Sequence, residues 1–239
     1  MFLSELMASA LKLCKRARHE IINSKFIPTY FEKRIEDDQF KIGDMKIVGF
    51  VDRVDVYEDN FRVIDYKTGA ISSNILSSLY YGQKLQLFLY GAALKNSLGL
   101  DFSGAFYFDA KVSYSKNQRT ILRGIYKPTQ KIIFAMDKRL EDEDVKSGDI
   151  ISATKTEKGF GKATMSQPRL SKLQDYSIKV ASKAIEHMKA GNIKPCPSSQ
   201  SCTYCAYRAS CLFENDCGFR EKKTADKIFK EEESDVQTD

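Results

Sequence analysis

The 239-residue chain contains no tryptophan, only two histidines and only five prolines. No apolar run approaches the roughly 20 residues that a bilayer-spanning helix needs, so no membrane-spanning helix is expected. The N-terminal stretch MFLSELMASALKLCKRAR does not read as a secretory signal, because Glu5 interrupts its apolar run and the basic residues follow that run instead of preceding it. Together these absences point to a cytoplasmic protein. His19 and His187 stand on helical segments among charged residues, where an ordinary surface role is expected of each. No internal repeat is found, which excludes a solenoid or array.

What is present suffices for a full hydrophobic core: 42% of residues are hydrophobic, and the length suits one large domain with an appendix. Residues 1–195 read as the core domain, 196–222 as a cysteine-rich appendix and 223–239 as a charged, disordered tail poor in apolar residues. The formal net charge is +6. Because Asp226 to Asp239 is acid-rich, the rest of the chain is more basic than that figure. The excess suits a polyanionic partner such as nucleic acid, and equally suits plain solubility. Six cysteines in a reducing compartment are not a disulfide framework, and their clustering toward the C-terminus points to metal.

Along the chain, residues 1–26 predict an amphipathic helix, with Phe2, Leu3, Leu6, Ala10, Leu13 and Ala17 at helical spacing and Pro28 at its end. Met45 to Tyr57 alternates as a strand: Val48, Phe50, Asp52, Val54 and Val56 share one face, and Val51, Arg53, Asp55 and Tyr57 the other. FRVIDYK, residues 61–67, predicts a second strand, joined to the first through Glu58-Asp59-Asn60 as a hairpin. Leu79 to Leu98 predicts one helix closed by Gly99. SGAFYFDA and RTILRGIYK read as two further strands. The polar stretch from Glu141 to Met165 predicts a long surface loop or mobile flap. A last helix is expected from Ser171, as N-cap, to Ala190, with Leu173, Ile178, Ala181, Ile185 and Met188 inward and Gly191 as its stop.

Successive strand side chains alternate in direction, so Asp65 and Lys67 project together while Ile64 and Tyr66 face away. The hairpin sets Asp52 opposite Asp65 or Lys67, depending on a register that the sequence does not fix. A carboxylate among Phe50, Val54 and Val56 is costly without a cation. Two converging carboxylates suit Mg²⁺ (or Mn²⁺) with its retained waters, and a neighbouring lysine suits charge developing on a phosphate. An exposed salt bridge of Asp65 with Lys67 or Arg53 accounts for the triplet equally simply. Gln83, Gln86 and Tyr90 share a polar helical stripe, which is either the solvent side of that helix or a lid over the acids. Cys202, Cys205 and Cys211 form C-x₂-C-x₅-C, a spacing that fits zinc or part of an iron–sulfur cluster and is one ligand short of either.

GFVDRVD, IDYKTG and YYGQKLQLFLY, in this order and spacing, resemble the successive motifs of the PD-(D/E)xK nuclease superfamily, in the branch similar to the RecB nuclease domain. With GAFYF, AGNIKPCP and CTYCAYRASC, the likeness extends over about residues 28–220 to the C-terminal nuclease domain of AddB, also called RexB. It implies an α/β, restriction-endonuclease-like core, with a central mixed β-sheet flanked by helices and a C-terminal cysteine-rich iron–sulfur segment.

The resemblance further implies that Asp52, Asp65 and the backbone carbonyl of Tyr66 bind metal, that Lys67 is catalytic, and that Gln86 and Tyr90 complete the site. Glu32 matches an acidic position ahead of the sheet, and Phe50 stands where relatives often carry arginine. Cys202, Cys205 and Cys211 would hold a structural [4Fe–4S] cluster with a distant upstream cysteine. That cysteine, and a histidine in the same segment, have no counterpart here; Cys14 reads as a small core residue, and Cys196 and Cys217 are nearer substitutes. The chain therefore reads as a fragment or shortened relative of a longer protein. The implied function is a Mg²⁺-dependent exonuclease acting at DNA ends in double-strand-break repair by recombination, beside a helicase-nuclease partner similar to AddA or RexA. A non-catalytic DNA-binding or scaffold module of the same fold, and a CRISPR-associated nuclease of the superfamily, are the other readings.

Overall fold

The structure, a computed structural model, describes residues 2–35, 40–69, 71, 75–110, 120–157, 159–162, 167–192, 195, 197, 201–203, 205–211 and 213. The expected tail beyond 222, with Cys196 and Cys217, lies outside the described residues.

In chain order the elements begin with helix α1 (Phe2–Ile22) and strands β1 (Ile27–Ile35), β2 (Lys41–Ile42), β3 (Met45–Lys46), β4 (Gly49–Tyr57) and β5 (Asn60–Lys67). Helices α2 (Ile75–Tyr80) and α3 (Gln86–Leu98) follow, then β6 (Asp101–Asp109), β7 (Leu122–Tyr126), α4 (Gln130–Met136) and a 3₁₀ turn over Lys138–Glu141. The hairpin β8 (Ala153–Thr156) and β9 (Gly159–Lys162) precedes the long helix α5 (Gln167–Lys189).

Five strands form the central sheet in the order β1-β4-β5-β6-β7. All neighbours are antiparallel except β5 and β6, which run parallel. The sheet is therefore mixed, as expected. A parallel pair needs a crossover, and α2 and α3 supply it. Strand β1 was not anticipated, because Pro28 and a register shift between Pro28 and Tyr30 obscure its pattern; proline is tolerated there because β1 is an edge.

One core lies between the sheet and the helices α2, α3 and α5, built from Val54, Phe61, Val63, Leu79, Leu87, Phe88 and Leu173 among others. A second core lies on the opposite face, where Ile64, Phe106 and Phe108 meet Ile132, Ile133 and Met136 of α4. Val51 packs in the first core with Val54, three residues on, and Phe50 and Val48 are exposed. The alternation expected through the start of β4 thus breaks just before Asp52. In α1, Leu13 and Ala17 pack on the second core, but Leu3 and Leu6 of the expected stripe are exposed. Cys14, expected in a core, is exposed.

Beneath the sheet, α1 is fixed by charge. Glu20, Arg53, Asp55 and Arg62 are all buried. Arg53 donates Nε to Asp55 Oδ1 at 2.7 Å and Nη2 to Asp55 Oδ2 at 2.8 Å, and its Nη1 lies 2.9 Å from Glu20 Oε2. Arg62 donates Nε to Asp55 Oδ2 at 2.9 Å and also pairs with Glu20. Two acids neutralise two guanidinium groups, which is the condition for burying any of them.

Three expectations are corrected. The described residues from Glu141 to Lys162 are not all surface loop: Ile150 and Ile151 are buried in the second core, where the Asp137 carboxylate accepts from the backbone N–H groups of Asp149 and Ile150, while 158 and 163–165 lie outside the described residues. The last helix starts at Gln167, so Ser171 is not its N-cap; Pro168 is accommodated in the first turn, where its missing N–H has no partner to lose. Within that helix Leu173 is buried and Ile178, Ala181 and Ile185 are half-buried, while Met188 is exposed. Gly191, at φ 68°, ends it as expected. The third correction, a break in the predicted Leu79–Leu98 helix, bears on the site.

Candidate functional site

The β4–β5 ladder closes over the turn Glu58-Asp59, with Glu58 in the left-handed region at φ 50°. Its last pair is Arg53–Ile64. Asp52 and Asp65 come next on each strand and leave the ladder together, which settles the register in favour of Asp52 facing Asp65. Where the strands part, the Asp52 carboxylate takes the place of a backbone acceptor: Tyr66 N–H donates to Asp52 Oδ2 at 2.8 Å. Tyr66 is thus tied to both faces. Its hydroxyl accepts from Arg53 Nη1 at 3.4 Å on the far side, and its ring packs on Phe108 with centroids 5.2 Å apart.

Lys67 Nζ lies 2.7 Å from Asp65 Oδ2. The two are unequally exposed: Asp65 is buried, while the Lys67 side chain is 42% exposed. Burial pushes the Asp65 carboxyl above the ordinary carboxylate range, Lys67 pulls it down, and the Asp52 charge pushes it up again. The net shift is upward. A buried carboxylate held beside a second one presents two anionic oxygen donors of the kind a hard cation takes. Asp52 and Asp65 supply few oxygen donors, which suits an ion that keeps its waters.

Gly82, at φ 72°, ends α2. Its N–H donates to Leu79 O at 2.9 Å, and Gln83 N–H donates to Ser78 O at 2.9 Å, so α3 begins only at Gln86. Gln83 is therefore not on the helical stripe; its amide donates to Ser201 Oγ at 3.3 Å, toward the cysteine segment. Gln86 and Tyr90 do share a face of α3, and Gln86 Nε2 donates to Tyr90 Oη at 2.9 Å. The Tyr90 ring rests on Gly49 at the start of β4: a Cβ on Gly49 would lie 2.8 Å from Tyr90 Oη. Glycine here lets the phenol seat three residues before Asp52.

Three residues were missed by sequence reasoning. In the register of β5, β6 and β7, Asp65 pairs with Tyr107 and Tyr107 with Arg123. Lys84, freed from helix by the turn at Gly82, sets its Nζ 5.3 Å from the Tyr107 ring centroid, and Lys67 Nζ lies 5.8 Å from the same centroid. The Tyr107 hydroxyl is pushed up to about 12 by burial and the Asp65 charge, so it stays protonated. Lys84 is shifted downward by its own burial and by the neighbouring Lys67 and Arg123. The signal that would have found Lys84 is Gly82 as a helix stop inside an otherwise continuous apolar pattern.

Glu32 lies between the pairs Phe31–Arg53 and Lys33–Val51, opposite Asp52. It is exposed and holds φ 48°, a conformation that a non-glycine residue adopts at a cost of about 1 kcal/mol or more. Cys202 is half-buried and Cys205 and Cys211 are exposed; all three are free. Among the described residues no three His, Cys, Asp or Glu side chains gather as a metal site, so the fit of a cluster to the cysteine trio is not met there. His19 Nε2 lies 3.1 Å from Asp149 Oδ2, and His187 is exposed on α5. Among the described residues no helix is long and apolar enough to cross a membrane.

Curated relatives cover most of this chain. It is 30% identical over 203 residues to the B subunit of the ATP-dependent helicase/deoxyribonuclease of Caldanaerobacter subterraneus, covering 72% of this chain and 17% of that protein. The corresponding protein of Clostridium novyi is 28% identical over 202 residues, with 72% and 17% covered. That of Thermoanaerobacter sp. is 28% identical over 235 residues, with 82% and 20% covered. The chain thus spans about a fifth, or less, of the length of these relatives. The PD-(D/E)XK nuclease superfamily matches residues 2–212, a span that holds the whole carboxylate–lysine hairpin and the helix above it, and the chain belongs to that superfamily.

Proposed function

We propose that this chain is a Mg²⁺-dependent (or Mn²⁺-dependent) deoxyribonuclease that hydrolyses phosphodiester bonds at DNA ends, serving double-strand-break repair by recombination. The observation that carries the reading is the hairpin end, where Asp52 and Asp65 leave the ladder together with Lys67 Nζ 2.7 Å from Asp65. Asp52, Asp65 and the Tyr66 carbonyl would hold the metal, which when bound lowers the pKa of a coordinated water and offsets charge on the phosphate. Asp65, buried and fixed by its strand, supplies a rigid anionic ligand. Asp52 is oriented by the Tyr66 N–H. Lys67, the more exposed partner, holds a proton toward solvent, where it donates to the attacking water or to a phosphate oxygen as negative charge develops. Gln86 and Tyr90, joined to each other and seated on Gly49, fix the roof.

The relatives' naming as B subunits of a helicase/deoxyribonuclease supports DNA as substrate and a further subunit as partner; a partner similar to AddA or RexA rests on the family likeness. The iron–sulfur part of the proposal rests on the spacing of Cys202, Cys205 and Cys211 and the family likeness. The described residues do not gather these cysteines. A non-catalytic scaffold and a CRISPR-associated nuclease are less well supported: the first is opposed by the assembled acids and lysine, the second by relatives that are helicase/deoxyribonuclease subunits.

The test compares linear duplex with covalently closed circular duplex of the same sequence, each in Mg²⁺ and in chelator. Degradation of the linear form alone, and only with metal, is the expected result. Equal attack on the closed circle overturns the action at ends, and degradation in chelator overturns the metal.

A further inference from the structure

Among the described residues the fully buried cations have a carboxylate close by. Arg53 and Arg62 have Asp55 and Glu20, and Lys127 has Asp101 at 3.5 Å. Lys84 and Arg123 are half-buried, and among the described residues neither side chain forms an ion pair or a hydrogen bond. They are nonetheless brought together. Arg123 is the register partner of Tyr107, Lys84 lies over the Tyr107 ring, and Lys67 approaches the same ring. Three cations are thus collected beside Asp52 and Asp65, and a divalent ion between those carboxylates would add further positive charge. Like charges gathered on a half-buried surface repel one another unless an anion joins them.

The anion has a direction as well as a sign. Arg123 lies two strands from Asp65, about 10 Å at the usual strand spacing, on the side of the sheet edge formed by β7. A phosphate at the carboxylates would therefore have its chain neighbour near Lys84 and Arg123. The planar guanidinium and the point-charge ammonium are the two usual phosphate donors. We propose that Lys84 and Arg123 form a two-point clamp for the DNA phosphate adjacent to the scissile one, on the β7 side of the site. The proposal rests on the nuclease reading and adds the path of the strand across it. The clamp accounts for the helix break at Gly82, which is what carries Lys84 off α3 and over Tyr107.

The test measures binding of fluorescently labelled single-stranded and duplex oligonucleotides in metal-free buffer across a salt series, then steady-state cleavage in Mg²⁺. The parent is compared with Lys84→Ala, Lys84→Arg, Arg123→Ala and Arg123→Lys. Each alanine variant is expected to weaken binding severalfold irrespective of sequence, and to reduce the slope of log K against log salt by about 0.7–0.9. In cleavage it raises KM more than it lowers kcat, while the charge-keeping variants retain most of the parent slope. A merely structural role would lower the melting temperature and leave the salt slope unchanged. Should Arg123→Ala fail to fold, Arg123→Gln and the Lys84 pair decide the matter. Folded variants with the parent's slope and KM overturn the clamp and leave the nuclease reading intact. A folded parent that neither binds nor cuts DNA overturns both.

Discussion

Replacing Asp65 by asparagine is expected to stabilise the metal-free protein while destroying its response to Mg²⁺. The carboxyl is buried, and its pKa is raised because burial and the Asp52 charge together outweigh Lys67. A carboxylate whose pKa is higher in the fold than in the unfolded chain opposes folding at any pH where it is ionised. Removing the charge with a near-isostere therefore raises the melting temperature, by about 2–4 °C in a chain of this size for each kcal/mol of penalty relieved. The gain is largest above the raised pKa, shrinks as pH falls through it, and vanishes below the ordinary aspartate value, where the parent's carboxyl is neutral in both states. Mg²⁺ reverses the order. The parent gains about 2.7 kcal/mol at a metal concentration a hundredfold above Kd, and Asp65→Asn, lacking an anionic ligand, gains little. The assay is thermal unfolding by circular dichroism, in chelator and in a Mg²⁺ series, at several pH values. An Asp65→Asn protein that melts below the parent in chelator, or that shifts with Mg²⁺ as the parent does, would refute the reasoning.

Gly49→Ala places a Cβ 2.8 Å from Tyr90 Oη; cleavage is expected to fall about tenfold or more through misplacement of the roof, with circular dichroism unchanged. Glu20→Gln leaves Arg53 and Arg62 buried against Asp55 alone, and urea unfolding should show a loss of about 3–5 kcal/mol. Gly124→Ala drives a Cβ to 1.9 Å from the Ala105 carbonyl oxygen, a backbone clash that no side chain can relieve. That variant should lose the β6–β7 pairing and appear as unfolded or insoluble protein, whereas a soluble variant with the parent's spectrum would show that the strands can part there at little cost.

That Asp65 and Lys67 share a face was legible in the sequence, because a period of two is a local property. Once FRVIDYK is a strand, its acid and lysine must share a face. The register was not legible, since it depends on where the β4–β5 turn closes. The break at Gly82 shows the opposite case. Leu79 to Leu98 has apolar residues at helical intervals throughout, yet one glycine in the left-handed region divides it, and with it goes the assignment of Gln83. Lys84 and Arg123 meet at Tyr107 only through that turn and through the pairing of β6 with β7, both tertiary outcomes. The segment around Ile150 was hidden for another reason: two adjacent isoleucines in a polar stretch carry no periodicity, and what docks them is a distant carboxylate, Asp137, accepting from the backbone N–H groups of Asp149 and Ile150. Around the start of β4, Val48 and Phe50 matched a strand face by alternation, but both are exposed, because the strand changes phase before its pairing with β5 begins at Arg53.

The most direct measurement is cleavage of end-labelled linear DNA in Mg²⁺, under anaerobic conditions that spare the free cysteines, by the parent chain and by its Asp65→Ala and Lys67→Ala variants. Metal-dependent cleavage by the parent, reduced about a hundredfold or more in both folded variants, is the result predicted. Cleavage undiminished in the variants, or a folded parent that does not cut at all, would contradict the assignment of this hairpin as the active site.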